Sequence, residues 1–61
     1  MRYSELKRLL RANECEFVSE GGRHEKWRSE RTGLIIEIPR HISHEVPSGM
    51  LDTILKKAGI K

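Results

Sequence analysis

Three short runs of alternating apolar and polar character, Cys15 to Glu20, His24 to Ser29 and Leu34 to Ile38, are separated only by turn-sized connections that contain glycine. Connections that short join antiparallel neighbours, because a parallel pair needs a crossover of about a dozen residues or more. An apolar stripe at helical spacing lies on each side of the three runs. Tyr3, Leu6, Leu9 and Leu10 form the first stripe, and Leu51, Ile54, Leu55 and Ala58 form the second. Each stripe needs an apolar surface to cover it, and one face of a small sheet supplies it. The expected architecture is therefore α+β, in the order α-β-β-β-α: a three-stranded antiparallel sheet with two helices on one face and the other face open.

Local signals set the expected boundaries. Ser4 reads as an N-cap with Glu5 in the first turn, and the first helix runs to about Asn13. Its opposite face carries Lys7, Arg8 and Arg11, which either stay in water or reach phosphates. Pro39 ends the third strand, and the stretch from Arg40 to Pro47 is the longest irregular segment. Ser48 opens the second helix and Gly59 stops it, with Lys56 and Lys57 favouring the negative end of the helix dipole. A chain of 61 residues makes one domain, 1–61, that buries only about 60% of its unfolded surface, so any site is shallow. The apolar residues, 36% of the chain, fall in periodic blocks, which argues for a folded domain.

The phase of the second strand matters most. The large indole of Trp27 belongs in the core, so His24, Lys26 and Arg28 share the opposite, outward face. Gly21-Gly22 gives the turn before that strand the freedom to take positive φ, and Gly33 does the same after Arg31-Thr32. Leu34, Ile36 and Ile38 share one face of the third strand and Ile35 and Glu37 the other, which places Glu37 where it could pair with Lys26 or Arg28.

Lys and Arg outnumber Asp and Glu by 12 to 9, a net charge of +3, with an isoelectric point near 9.4. That balance permits a polyanionic partner without demanding one, and a basic open face with few large apolar residues favours an acidic partner. The single cysteine, Cys15, reads as a small core residue in a reducing cytoplasm. No apolar run approaches a membrane span, and no secretory leader is apparent. A histidine beside cations suits metal-free ribonuclease chemistry, which needs a base for the ribose 2′-hydroxyl, an acid for the leaving oxygen and cations for the phosphorane. By composition alone, a structural role for His24 stands beside that one. His41 and His44, spaced i and i+3, lack the paired ligand spacing of zinc sites, so neither metal nor cofactor is expected. Gly21-Gly22 precedes a strand and not a helix, so it is no phosphate-binding loop.

Taken in order, Tyr3-Ser4-Glu5-Leu6 with Leu9-Leu10 and Phe17, Gly22-Arg23-His24 with Trp27, Ile38-Pro39-Arg40-His41, and Ile54-Leu55-Lys56-Lys57-Ala58-Gly59-Ile60 resemble the HicA family of small toxins over essentially the whole chain. The resemblance implies a fold like the double-stranded-RNA-binding domain and an endoribonuclease that cleaves mRNA. It also implies an antitoxin of the HicB family as partner, with DNA reached only through that antitoxin and no membrane contact. By position it makes His24 the catalytic histidine and matches Pro39-Arg40-His41 to the family's proline-arginine-histidine segment. His41 then acts as the acid, orients substrate or packs in its loop. Many members have serine before the catalytic histidine, whereas this chain has Arg23, a cation that favours the neutral imidazole. The expected site is His24 as catalyst, with Arg23, Lys26, Arg28, Arg40 and His41 contacting RNA. The alternative is a non-catalytic module that binds RNA or docks the antitoxin. Duplex-binding modules place lysines at the start of the second helix, where this chain has Ser48-Gly49-Met50-Leu51-Asp52, and that absence weighs against duplex binding.

Overall fold

The computed structural model describes residues 1–40 and 44–61. The order is α1 (Tyr3–Ala12), β1 (Cys15–Gly21), β2 (His24–Ser29), β3 (Ile35–Pro39) and α2 (Ser48–Ala58). The strands form one antiparallel sheet in the order β1-β2-β3. The expected α-β-β-β-α layout is what the chain adopts. Trp27 lies in the middle of β2, opposite Phe17 on β1 and Ile36 on β3, with none of its surface exposed. Tyr3, Leu6 and Leu10 of α1 and Ile54 and Ala58 of α2 close over Trp27, Ile36 and Ile38, and Cys15 and Val46 complete the core.

The ends of α1 are set by contacts from distant residues. Its cap residue is Arg2 in extended backbone, so Ser4 falls within the first turn and not at the cap. The reason is that residues 44–46 run alongside the N-terminus. Tyr3 N–H donates to the His44 carbonyl (3.3 Å) and Val46 N–H to the Met1 carbonyl (2.8 Å). Backbone partners thus begin the helix two residues earlier than a serine cap would, and Glu5 still accepts from Arg2 N–H at 3.1 Å. At the other end Glu14 takes φ +63°, a left-handed position unusual for a side chain, and its carbonyl accepts Glu30 N–H.

Two other expectations change. Leu34 lies outside β3 and is 49% exposed, because Gly33 at φ +73° turns the chain just ahead of it and takes Leu34 out of the pleat. The basic side of α1 is only partly solvated. Lys7 reaches down to Glu25, and the Arg11 guanidinium lies 5.0 Å from the centre of the Trp27 ring.

The β2–β3 connection caps α2. Ser29, fully buried, donates its hydroxyl to the Ala58 carbonyl at 2.8 Å, and the Thr32 hydroxyl donates to the Lys57 carbonyl. Gly59 follows in left-handed conformation (φ +77°), and a Cβ there would meet Thr32 Cγ2 at 3.1 Å and Arg31 Cβ at 3.2 Å. The last carbonyls of a helix have no partner within it, and here two side chains of one turn supply partners. Ser29→Ala leaves the Ala58 carbonyl buried without its donor and should cost about 1–3 kcal/mol. A domain of this size has only roughly 3–9 kcal/mol in total, so urea titration should show a clearly lower midpoint with an unchanged slope.

Candidate active site

The β1–β2 hairpin closes on the pair Gly21 and His24 through the two-residue turn Gly22-Arg23. Gly22 has φ +58° and Arg23 is not in the positive-φ region, the sign pattern of a type II′ turn, which places glycine first. His24 is the first residue of β2. Its cross-strand neighbours are Gly21 on one side and Pro39 on the other. A Cβ at Gly21 or Gly22 would meet nothing within 4 Å, so the space beside the exposed imidazole is open.

Alternation along β2 then divides the side chains as the Trp27 phase requires. Glu25, Trp27 and Ser29 turn toward the helices, while His24, Lys26 and Arg28 are exposed on the other face. The three outward residues differ in what they touch. Arg28 donates to Glu30 at 2.9 Å and to Glu16 at 3.0 Å, and those hydrogen bonds, Glu30 first, raise its already high pKa. Lys26 sits between Ser19 and Glu37 in register. Among the described residues neither Lys26 nor Arg28 forms an ion pair with Glu37, so the cross-sheet pairing expected of that glutamate stops at register.

Arg40 lies on the other side of the sheet. Its N–H donates to the Arg23 carbonyl (3.2 Å), and its guanidinium reaches the Gly22 carbonyl (3.5 Å) and Glu20 (3.4 Å). Glu20 is in register with the inward Glu25, so Arg40 braces the hairpin from the helix side while His24 points away from it. Arg23, His24 and Lys26 have no ion-pair partner among the described residues. Arg23 thus lies in the hairpin turn, His24 begins β2 and Lys26 follows two residues on along the same outward face, while Arg28 and Arg40 are tied to carboxylates and His41 lies outside the described residues. Glu16 and Glu30 join the expected Glu37 around Lys26 and Arg28, so the open face carries both signs of charge.

Sequence reasoning missed what lies beneath the histidine. Glu25 accepts from Lys7 Nζ at 2.8 Å and from the Trp27 indole N–H at 3.1 Å. The Lys7 and Glu25 side chains are only 13% and 14% exposed. The signal was available, since the alternation that turns Trp27 inward turns Glu25 inward too, and a carboxylate there requires a cation. His44, by contrast, sits beside the start of α1, where its carbonyl accepts Tyr3 N–H. Among the described residues no three His, Cys, Asp or Glu side chains are grouped to hold a metal ion.

Burial alone would push the Glu25 carboxyl up, but the hydrogen bonds from Lys7 and Trp27 and the charges of Lys7 and Arg40 outweigh it and hold the group below its ordinary 4.5. A pKa lowered by folding gives stability that is complete above the unfolded value and is lost as pH falls through the folded one. Acid titration of the native protein should therefore lose stability below about pH 4.5, with Glu25 contributing. Lys7→Ala removes the main opposing partner. It should cost about 1–3 kcal/mol at neutral pH, and the Glu25 carboxyl resonance followed by NMR should titrate at higher pH than in the parent.

The family model described as the HicA toxin of bacterial toxin-antitoxin systems matches residues 3–60. No curated protein and no solved structure gives a significant match. The match runs from the first residue of α1 to the residue after Gly59 and takes in the glycine turn, His24 and Pro39. The chain belongs to the HicA toxin family of bacterial toxin–antitoxin systems.

Proposed function

We propose that this toxin is an endoribonuclease that cleaves mRNA without a metal ion, with His24 as the base. The observation that carries the reading is an exposed imidazole at the first position of β2, beside a glycine and between two unpaired cations, Arg23 and Lys26. Cleavage by transesterification removes the proton of a ribose 2′-hydroxyl. The 2′-oxygen then forms a bond to phosphorus, the bond to the 5′-oxygen breaks, and that oxygen leaves with a proton. His24 is the group that takes the first proton. Arg23 and Lys26 flank the position where the phosphorane would carry its charge. Arg28 is four residues along the strand, about 13 Å away, and Arg40 is held by Glu20, so both would serve phosphates beyond the scissile one.

The same surface suits control by a partner. Family membership makes the chain one half of a toxin–antitoxin pair, and we assign the other half to the HicB family. An antitoxin that covers the hairpin tip would block His24 and neutralise Arg23 and Lys26 at once. No helix among the described residues is long and apolar enough to cross a membrane. A cytoplasmic site of action, where mRNA and antitoxin are both at hand, fits this role.

His24→Ala should abolish growth arrest on expression and lower cleavage of a labelled transcript by roughly 10²- to 10⁴-fold. Arg23→Ala and Lys26→Ala should each lower it by less, and EDTA should leave the parent's cleavage unchanged. A cleavage ladder that persists in the His24→Ala protein would remove the histidine from the mechanism. A gel shift without shortened product in the parent would make the chain a binding module.

A further inference from the structure

Phe17 stands apart from the other aromatic residues. Tyr3 and Trp27 are buried, whereas Phe17 is 48% exposed on the helix side of β1. Its orientation is nevertheless fixed. The phenyl ring meets the Trp27 indole edge to face, at 6.0 Å between centroids and an interplanar angle of 86°, and Trp27 itself is immobilised in the core. The Arg11 guanidinium lies over the same indole, 5.0 Å from its centre, so Arg11 and Phe17 both pack on Trp27. Arg8 sits one turn before Arg11 on the same side of α1. Neither arginine has an ion-pair partner among the described residues. The carboxylates of the adjoining strand and turn are already occupied, Glu14 by Arg31, Glu16 by Arg28 and Glu20 by Arg40.

We propose that Phe17, Arg11 and Arg8 form a second RNA contact, in which one unpaired base stacks on the phenyl ring and the arginines meet the adjoining phosphate. The assignment rests on the ribonuclease reading above and adds to it a second place on the surface that holds the substrate strand. A rigid exposed aromatic ring beside unpaired cations is the arrangement that binds single strands, since every base has a π-face. A duplex hides those faces in its own stack. The path between the two contacts is open. From Gly21, beside His24, to Phe17 is four residues of β1, about 13 Å. Gly21 and Gly22 leave space at the hairpin tip, so a strand can pass from the outward face around the edge of β1 to the helix side.

The test uses full-length protein carrying His24→Ala, so that RNA survives, and a short fluorescein-labelled oligouridylate read by anisotropy. Phe17→Ala should weaken binding roughly tenfold, and Phe17→Tyr should preserve it. Phe17→Leu keeps an apolar side chain against Trp27 but lacks the π-face, and it too should lose binding. That variant guards against misfolding of the alanine protein, and the emission of the single Trp27 reports the fold of each. Arg11→Ala should reduce affinity and lower the salt slope by about 0.7, as for one contact to a single strand. If Arg23→Ala weakens binding while both Phe17→Ala and Phe17→Leu bind like the parent, the second contact is refuted and the hairpin-tip reading stands. If the Phe17 variants weaken binding while Arg23→Ala and Lys26→Ala do not, stacking stands and the tip reading falls. Phe17 variants that bind RNA normally but fail to co-purify with the antitoxin would convert the patch to a protein contact and overturn the proposal.

Discussion

The burial of Trp27 at the centre of the middle strand is the constraint on which the other features depend. An indole removes roughly 150–250 Å² from water, worth on the order of 4–6 kcal/mol, comparable to the whole stability of so small a domain. Only one phase of β2 achieves that, and a slip of one residue would reverse every side chain on the strand. The same phase sends His24 outward and Glu25 inward. The indole N–H then needs an acceptor, which Glu25 supplies, and the partly buried carboxylate needs a cation, which Lys7 supplies from α1. One aromatic residue thus orients the candidate catalyst and fastens the first helix under it.

That arrangement changes how the chain's charge should be understood. A net charge of +3 suggests attraction spread over a surface. The distribution of ion pairs instead concentrates the available charge. Arg28, Arg31 and Arg40 are each bound to carboxylates, and Lys56 and Lys61 both hold Asp52. Exposed pairs of this kind contribute little to stability, but each makes its cation a weaker partner for phosphate than an unpaired one. Among the described residues, Arg23 and Lys26 at the hairpin end of β2 and Arg8 and Arg11 on α1 are unpaired, as is Lys57 on α2, so position decides where an anionic strand would be held.

Periodicity made the fold legible. The Trp27 phase, the two helical stripes, the strand-ending Pro39 and the stop at Gly59 all follow from spacing and backbone chemistry within a few residues. The missed features depend on residues far apart in the chain. The cap of α1 comes from residues 44–46, more than forty positions away, and a serine signal could not anticipate it. Neither water nor phosphate, the two surroundings expected for Lys7 and Arg11, includes Glu25 or Trp27, because periodicity identifies the apolar face of a helix but not the polar side chains that reach around its margin. At the site, alternation gave the shared face of His24, Lys26 and Arg28. It could not show that Glu16 and Glu30 would converge on Arg28, because that depends on strand register and turn shape together.

The β-bulge in β1 explains how both sides of the strand come to be used. In register, Phe17 opposes Trp27 and Ser19 opposes Lys26, so Val18 is an extra residue without a partner on β2. An extra residue reverses the alternation that follows it. Before the bulge Cys15 and Phe17 face the helices, and after it Ser19 and Gly21 face outward, in line with Lys26 and His24. Were Val18 paired in regular register and not bulged, the residue opposite His24 would be Glu20, and its carboxylate would lie beside the imidazole. With Val18 bulged, glycine occupies that position and Glu20 turns inward to meet Arg40. The bulge and the paired glutamates also blunt the exposed edge of β1 against pairing with another strand. The edge is thereby left open for a chain that passes over it, and a polynucleotide needs no backbone ladder to do so.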